Sequence, residues 1–329
     1  MRTVITGGCG FIGRALLRQV LETSGNSDEV ILVDNMQRHG EENGDTLISS
    51  PQVQVINADL SDRKALSRLS GPVDRLYHLA AVVGVQPVEA DPMGVLRGNT
   101  LGTMHIMDWF VRNRADTARF LFASSSEVYS GALMTGLALP IPTPEGVPAV
   151  ISDLGNPRFS YALSKMWGEA YLNYMSSHQG VSAATVRYHN VYGPQMGYDH
   201  VIPQVIMRIL RREDPFRIFA PNQTRSFCWV GDAAEATYRV MESDAFLPEM
   251  VVHIGNEAAE VDIKTLYAHI FDACNWWPEE TVHIEAPGGS VSRRCPCTKR
   301  LRSLTGYSPD TPLEMGLART VPWYRENYR

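Results

Sequence analysis

The run Thr6-Gly7-Gly8-Cys9-Gly10-Phe11-Ile12-Gly13 is the feature that most narrows what this chain can fold into. It follows a short β-branched stretch at 3–6 and opens a helical pattern over Phe11–Thr23. The spacing Gly7-x-x-Gly10-x-x-Gly13 permits a tight turn, close approach of backbone to a pyrophosphate, and close packing of helix on sheet. The first helical turn, at Phe11 and Ile12, offers unpaired N–H groups and a positive dipole end to phosphate oxygens. A purely structural glycine turn has the same composition, so its neighbours decide. The second strand, at 30–34, ends in Asp34, where a carboxylate can accept hydrogen bonds from an adenosine ribose. That charge repels a 2′-phosphate, which favours NAD over NADP. An ordinary turn acid would carry no such meaning, but strand, loop, helix, strand and acid in this order argue for dinucleotide binding.

Further strands are predicted at Val53–Asn57, 75–79, 119–124 and 183–188, with helices at 63–69, 95–114 and 161–177 between them. This alternation predicts an α/β fold, a doubly wound parallel sheet with helices on both faces. The apolar run Val30-Ile31-Leu32-Val33 fits a strand buried on both sides. At about 150 residues per domain, 329 residues suggest two parts. A dinucleotide-binding domain over 1–190 leaves room for later segments to return to it. A smaller α/β part over 191–329 has a looser rhythm, with a helix at 201–212, a strand at Phe216–Phe219, and helices at 233–242 and Ile263–Cys274. Pro and Gly cluster at 136–148 and 286–296, which reads as surface loops.

Composition excludes several classes. At 44% hydrophobic and 20% charged the chain has ample material for a core, so disorder is ruled out. Cys9, Cys228, Cys274, Cys295 and Cys297 are odd in number and lack a C-x2-C pair, which supports neither a zinc site nor a disulfide framework. Cys295-Pro296-Cys297 reads as reduced and structural or surface-exposed, and no metal is expected. Thirty basic against 36 acidic residues, with no long basic run, argue against nucleic acid. No stretch approaches the roughly 20 apolar residues of a membrane helix. No leader pattern precedes the strand at 3–6, so the expectation is a cytoplasmic protein without a membrane partner.

The chain has only the lysines Lys64, Lys165, Lys264 and Lys299, which makes the place of each informative. Lys165 lies four residues after Tyr161, on the same face of a predicted helix. An ammonium beside a phenol pulls the tyrosine below its usual pKa of about 10. The phenol can then take a proton from an alcohol while hydride leaves the same carbon. By itself Y-x-x-x-K arises as readily on an ordinary amphipathic helix. The fifth strand ends in Ser124-Ser125-Ser126-Glu127-Val128-Tyr129, placing hydroxyls where ligands gather in parallel sheets. Asp59-Leu60, after the third strand, suits either an adenine edge or a helix cap at Asp59.

With TGGCGFIG (6–13), VDN (33–35), ADL (58–60), HLAA (78–81), Asn99, SSSEVY (124–129), YALSK (161–165), RYHNVYGP (187–194), RSFCWVGDA (225–233) and RRCP (293–296), the chain resembles a known family. These are the extended short-chain dehydrogenases/reductases of the nucleotide-sugar epimerase/dehydratase/decarboxylase type, and the resemblance covers nearly the whole length. It implies a Rossmann domain carrying NAD and a smaller C-terminal part closing over a nucleotide diphosphate sugar. Tyr161 would be the base, Lys165 its partner and a ribose ligand, and Ser125 the substrate-positioning hydroxyl. Beside the glycine loop and Asp34, cofactor contacts are implied for Asn35, Asp59, Leu60, Leu79, Ala80, Ala81, Asn99, Ser124 and Tyr188. Substrate contacts are implied for Val83, Asn190, Val201, Arg225 and Arg294, with the Arg225 guanidinium facing the diphosphate. A homodimer through helices near 95–114 and 157–177 is also implied.

The chemistry implied by the resemblance is a transient oxidation at C4 of the sugar. Return of hydride to the opposite face gives the epimer, loss of a C5 carboxylate gives a pentose, and loss of the C6 hydroxyl gives a 4-keto-6-deoxy sugar. Dehydratases of the family usually place Asp-Glu where Ser126-Glu127 stands, so the acid that expels water is missing. Ser126-Glu127 with Arg294 is similar to UDP-glucuronate decarboxylases, although Glu127 equally suits a loop-supporting role. Epimerisation comes first and decarboxylation second. A silent NAD-binding regulator and a reductase releasing NAD(P)H are the readings from other classes. Ser130 stands where glycine commonly follows Glu-Val-Tyr, so Gly131 is expected to take over that backbone role. The segment 130–160 is a candidate for specificity. His78 and His189 are expected to pack or to bond backbone.

Overall fold

A computed structural model describes residues 1–25, 27–37, 47–246, 250–286 and 291–327. Its main elements are β1 (Arg2–Thr6), α1 (Phe11–Thr23), β2 (Glu29–Asp34), β3 (Val53–Asn57), β4 (Val73–His78), α2 (Pro92–Asn113) and β5 (Arg114–Ser125). They continue with α3 (Phe159–Gln179), β6 (Ser182–Tyr188), α4 (Val201–Leu210), α5 (Val230–Glu242), β7 (Met250–Ile254), α6 (Ile263–Cys274) and α7 (Leu313–Glu326). Among the described residues, seven parallel strands form one sheet in the order β7-β6-β5-β4-β1-β2-β3. The order reverses between β1 and β4, and a crevice opens there at the carboxyl ends of the strands. This is the doubly wound Rossmann architecture that the strand–helix rhythm predicts. Its seventh strand comes from the second half of the chain.

Strand alternation sends successive side chains to opposite faces. Ile5, Leu32, Leu121 and Val186 pack with Leu16 and Leu17 of α1 and with Ala236 and Val240 of α5. Val4, Ile31, Val33, Phe120 and Phe122 pack on the other face with Ile106 and Phe110 of α2 and Leu172 of α3. The smaller part has its own core, in which Ile202 and Ile206 of α4, Phe271 of α6 and Leu317 of α7 surround Phe216. No helix among the described residues is long and apolar enough to cross a membrane.

Local expectations are corrected in three places. The helix at 63–69 is a 3-10 segment, Arg63–Arg68, capped by Asp62, whose carboxylate accepts from the Lys64 N–H. Asp59 is therefore not the cap; it closes a local turn by accepting from the Ser61 N–H at 2.8 Å. The stretch 286–296 is not a surface loop throughout, because Arg293–Arg294 pairs in parallel with Thr224–Ser226 and Cys295 is buried. Cys295 and Cys297 are free thiols, and their backbone is clamped by Thr143, whose N–H bonds the Cys295 carbonyl and whose carbonyl accepts from Cys297.

Candidate active site

The glycine loop leaves β1 through Gly7 at φ +69°, a left-handed conformation that glycine adopts without strain. A Cβ there would lie 2.7 Å from the Ala80 nitrogen, and one on Gly13 would lie 2.2 Å from the Gly7 carbonyl oxygen. Gly10 precedes α1 without a side-chain cap, and the first turn of α1 carries no acid, so its N–H end faces the crevice unblocked. Phe11 and Ile12 form that turn. Asp34, at the end of β2, accepts from the Cys9 and Met36 N–H groups at 3.1 and 2.9 Å, which fixes its carboxylate beside the loop. Asn35 closes the next turn by accepting from the Gln37 N–H.

Across the crevice, Leu79, Ala80 and Ala81 continue from β4. The Asn99 amide bonds the Val82 backbone on both sides and also donates to the Ser164 hydroxyl, so it shapes the loop leading to Val83 from within the protein. Leu60 packs into the core, and the Tyr188 hydroxyl bonds Thr237 of α5. Alternation along β6 sends Tyr188 to the sheet face opposite Arg187, away from α3.

On α3, Tyr161 and Lys165 share one face. The Lys165 Nζ lies 5.6 Å from the Tyr161 ring centre and donates to the Ala123 carbonyl at 2.8 Å. Burial lowers its pKa to about 7, against an upward push from Glu169. Near neutral pH the buried amine is therefore close to its own midpoint, because desolvation penalises the charged form. Ser124 at the end of β5 donates to Glu169 at 2.5 Å, and the Ser125 hydroxyl accepts from the Glu127 N–H at 3.2 Å. Ser126 is buried beside it.

Glu127 is held as an anion. Burial pushes its pKa up, but Arg294, the Ser130 hydroxyl and Arg158 outweigh burial and bring it to about 2. Its carboxylate receives Arg294 Nη1 at 2.6 Å and Ser130 Oγ at 2.7 Å, and Arg158 Nη2 stands 3.8 Å away. Arg294 is almost buried, and its Nε has no partner among the described residues. Arg225 donates to the backbone at Thr224, Val291 and Ser292 and to the Gln223 side chain. Burial first, then repulsion from Arg294 and Arg158, lowers its pKa to about 10. Two guanidiniums therefore stand against one carboxylate, with the Arg225 charge acting on the same group from beyond bonding distance.

Gly131 does not take a turn role. Ser130 is itself helical, and Gly131 is needed because a Cβ would lie 1.9 Å from the Val150 carbonyl oxygen. Asn190 adopts φ +39° and donates to the Ser226 carbonyl, and Val201 begins α4. His78 bonds Thr6 and Thr103, whereas the buried His189 ring packs against His253 at 4.6 Å. Sequence reasoning missed Glu169, Arg158 and Arg187. The four-residue step from Lys165 to Glu169 was the available signal for the first; Arg187 lies in the predicted strand at 183–188, but its pairing with Glu169 crosses from strand to helix, and Arg158 lies just ahead of α3.

A Rossmann sheet with a glycine cradle, a fixed strand-end acid and a serine–tyrosine–lysine group at the carboxyl ends of its strands defines a nicotinamide-dependent enzyme class. The chain belongs to the NAD dependent epimerase/dehydratase family, whose model matches residues 3–255. It is 29% identical to a putative UDP-glucose 4-epimerase of Methanocaldococcus jannaschii over 99% of both chains. It is 30% identical to a UDP-N-acetyl-alpha-D-glucosaminuronate decarboxylase of Bacillus cytotoxicus, over 99% of this chain and 98% of that one. A solved UDP-N-acetylglucosamine 4-epimerase of Methanobrevibacter ruminantium, 25% identical, superposes with a TM-score of 0.80 over 99% and 98% of the two chains. NAD is the cofactor, and the loop fits it, since the first turn of α1 carries neither a side-chain cap nor an acid and Asp34 is fixed beside it.

Proposed function

We propose that the protein modifies a nucleotide diphosphate sugar by transient oxidation at C4, with 4-epimerisation as the outcome. The observation that supports this reading is that Lys165, 5.6 Å from the Tyr161 ring centre, bonds the Ala123 carbonyl two residues before Ser125, at the carboxyl end of β5. Bound NAD supplies a hydride acceptor for the oxidation and a hydride donor for its reversal. Tyr161 takes the C4 hydroxyl proton and later returns it. The Lys165 Nζ, near its own midpoint, favours the phenolate whenever it carries a proton. Ser125 holds the sugar oxygen by a hydrogen bond, and the arginines offer donors to diphosphate oxygens.

Glu127 argues against dehydration. A carboxyl with a pKa of about 2, tied to Arg294 and Ser130, has no proton to give a leaving hydroxyl near neutral pH. Epimerisation needs no acid or base beyond Tyr161. Decarboxylation of a sugar uronate is the second reading. Its support is the excess of Arg158, Arg225 and Arg294 over Glu127, together with the unpartnered Nε of Arg294.

Incubating the enzyme with UDP-, dTDP-, GDP- and CDP-sugars, read by mass and NMR, separates these outcomes. Unchanged mass with altered C4 couplings is expected. Release of carbon dioxide from a uronate would move the conclusion to decarboxylation, and stoichiometric NADH release would move it to a reductase.

A further inference from the structure

On α3, Tyr161, Lys165 and Glu169 follow one another at four-residue steps along one side of the helix, and Lys165 and Glu169 reach β5. The helix lies unusually close to the strand, since a Cβ on Gly168 would meet the Phe122 ring at 2.4 Å. At that distance two consecutive β5 residues are stitched to two consecutive turns of α3. The Ala123 carbonyl accepts from Lys165 at 2.8 Å, and the Ser124 hydroxyl donates to Glu169 at 2.5 Å. The next strand residue is Ser125. Arg187, opposite Ser124 in the β6 register, donates Nε and Nη2 to the two Glu169 oxygens at 2.9 and 2.5 Å. Arg187 also donates to Tyr129, whose hydroxyl shares a 2.7 Å bond with His253. Ser124, Lys165, Glu169 and Arg187 are all buried.

We propose that Glu169 is a positioning residue: its carboxylate locks the strand end that presents Ser125 onto the helix turns that present Tyr161 and Lys165. The proposal rests on the C4-oxidation reading for the roles of those three residues. A simple fold-stabilising pair would need only Arg187. The third bond, to Ser124, joins the two halves of the reacting group, and the carboxylate lies on Lys165's own face. The titratable groups around Lys165 are Tyr161 and Glu169 on its helix and His78 from β4. Glu169 is the carboxylate among these, and its charge favours the protonated amine.

The test uses full-length, NAD-loaded protein. With only four lysines, 13C labelling at Lys Cε resolves the Lys165 titration by NMR. Glu169→Gln is expected to lower the Lys165 midpoint by about one pH unit, a tenfold change in protonation equilibrium. It should also lower kcat while leaving KM unchanged. Because Glu169→Gln leaves Arg187 buried without its counter-ion, Ser124→Ala is the companion variant, keeping the ion pair intact. It should leave the Lys165 midpoint in place and reduce kcat. A wild-type midpoint in Glu169→Gln, or a wild-type kcat in Ser124→Ala, overturns the proposal. If no nucleotide sugar is turned over by the wild type, the C4-oxidation reading fails, while the NMR titration still decides whether Glu169 sets Lys165.

Discussion

Tyr161 carries the proton transfer, so Tyr161→Phe should retain NAD binding while losing about 10²–10⁴-fold in kcat. Steady-state kinetics alongside NAD titration checks both halves of that expectation. Glu127 makes a prediction of a different kind. Its folded-state pKa, about 2, lies below the ordinary 4.5, so its ion pair stabilises the fold above about pH 4.5. That contribution falls away as the pH drops toward 2. Glu127→Gln should therefore lose less stability than the wild type between pH 6 and pH 3, measured by urea midpoints. The identities of Tyr161, Lys165, Ser125 and Glu127 were readable from spacing and strand-end position. Their protonation was not, because it depends on depth and on partners such as Arg294, which lies 167 residues from Glu127. Spacing carries no information about desolvation, which is why Lys165 reads as an ammonium in the sequence and sits near its midpoint in the fold.

Elements meet here through close backbone approach. Gly13→Ala would set a methyl group 2.2 Å from a main-chain oxygen that has no rotamer to change. Overpacking of this sort costs about 1–3 kcal/mol. The expected result is a lowered Tm by calorimetry and weakened NAD binding, while Gly136→Ala, with open space around it but a left-handed φ, should affect stability alone. The cradle was legible because it is local: strand, turn and helix are contiguous and each has a period. The Arg293–Arg294 strand was not. Two residues show no period: Arg293 is exposed and Arg294 buried, and the pair is placed by Thr224–Ser226, with Thr143 clamping the residues that follow, both distant in sequence. The same holds for Ser130, whose hydroxyl joins Glu127 and Arg294 across that gap.

At the scale of the whole molecule, α2 and α3 lie side by side and present Tyr174, 67% exposed, next to the stacked pair Trp167 and Tyr171. We expect a homodimer through this face, with sedimentation giving twice the 36.6 kDa chain mass and Tyr174→Glu shifting the population to monomer. β7 has a consequence of its own. The strand closing the sheet beside β6 is made of residues 250–254, after α4 and α5 have been traversed. A nascent chain leaving the ribosome therefore carries β6 with a bare hydrogen-bonding edge until that late segment emerges. Cutting the gene near codon 190 would yield two fragments that each lack what the other holds, and the first of them would be prone to stick to its own copies through that edge.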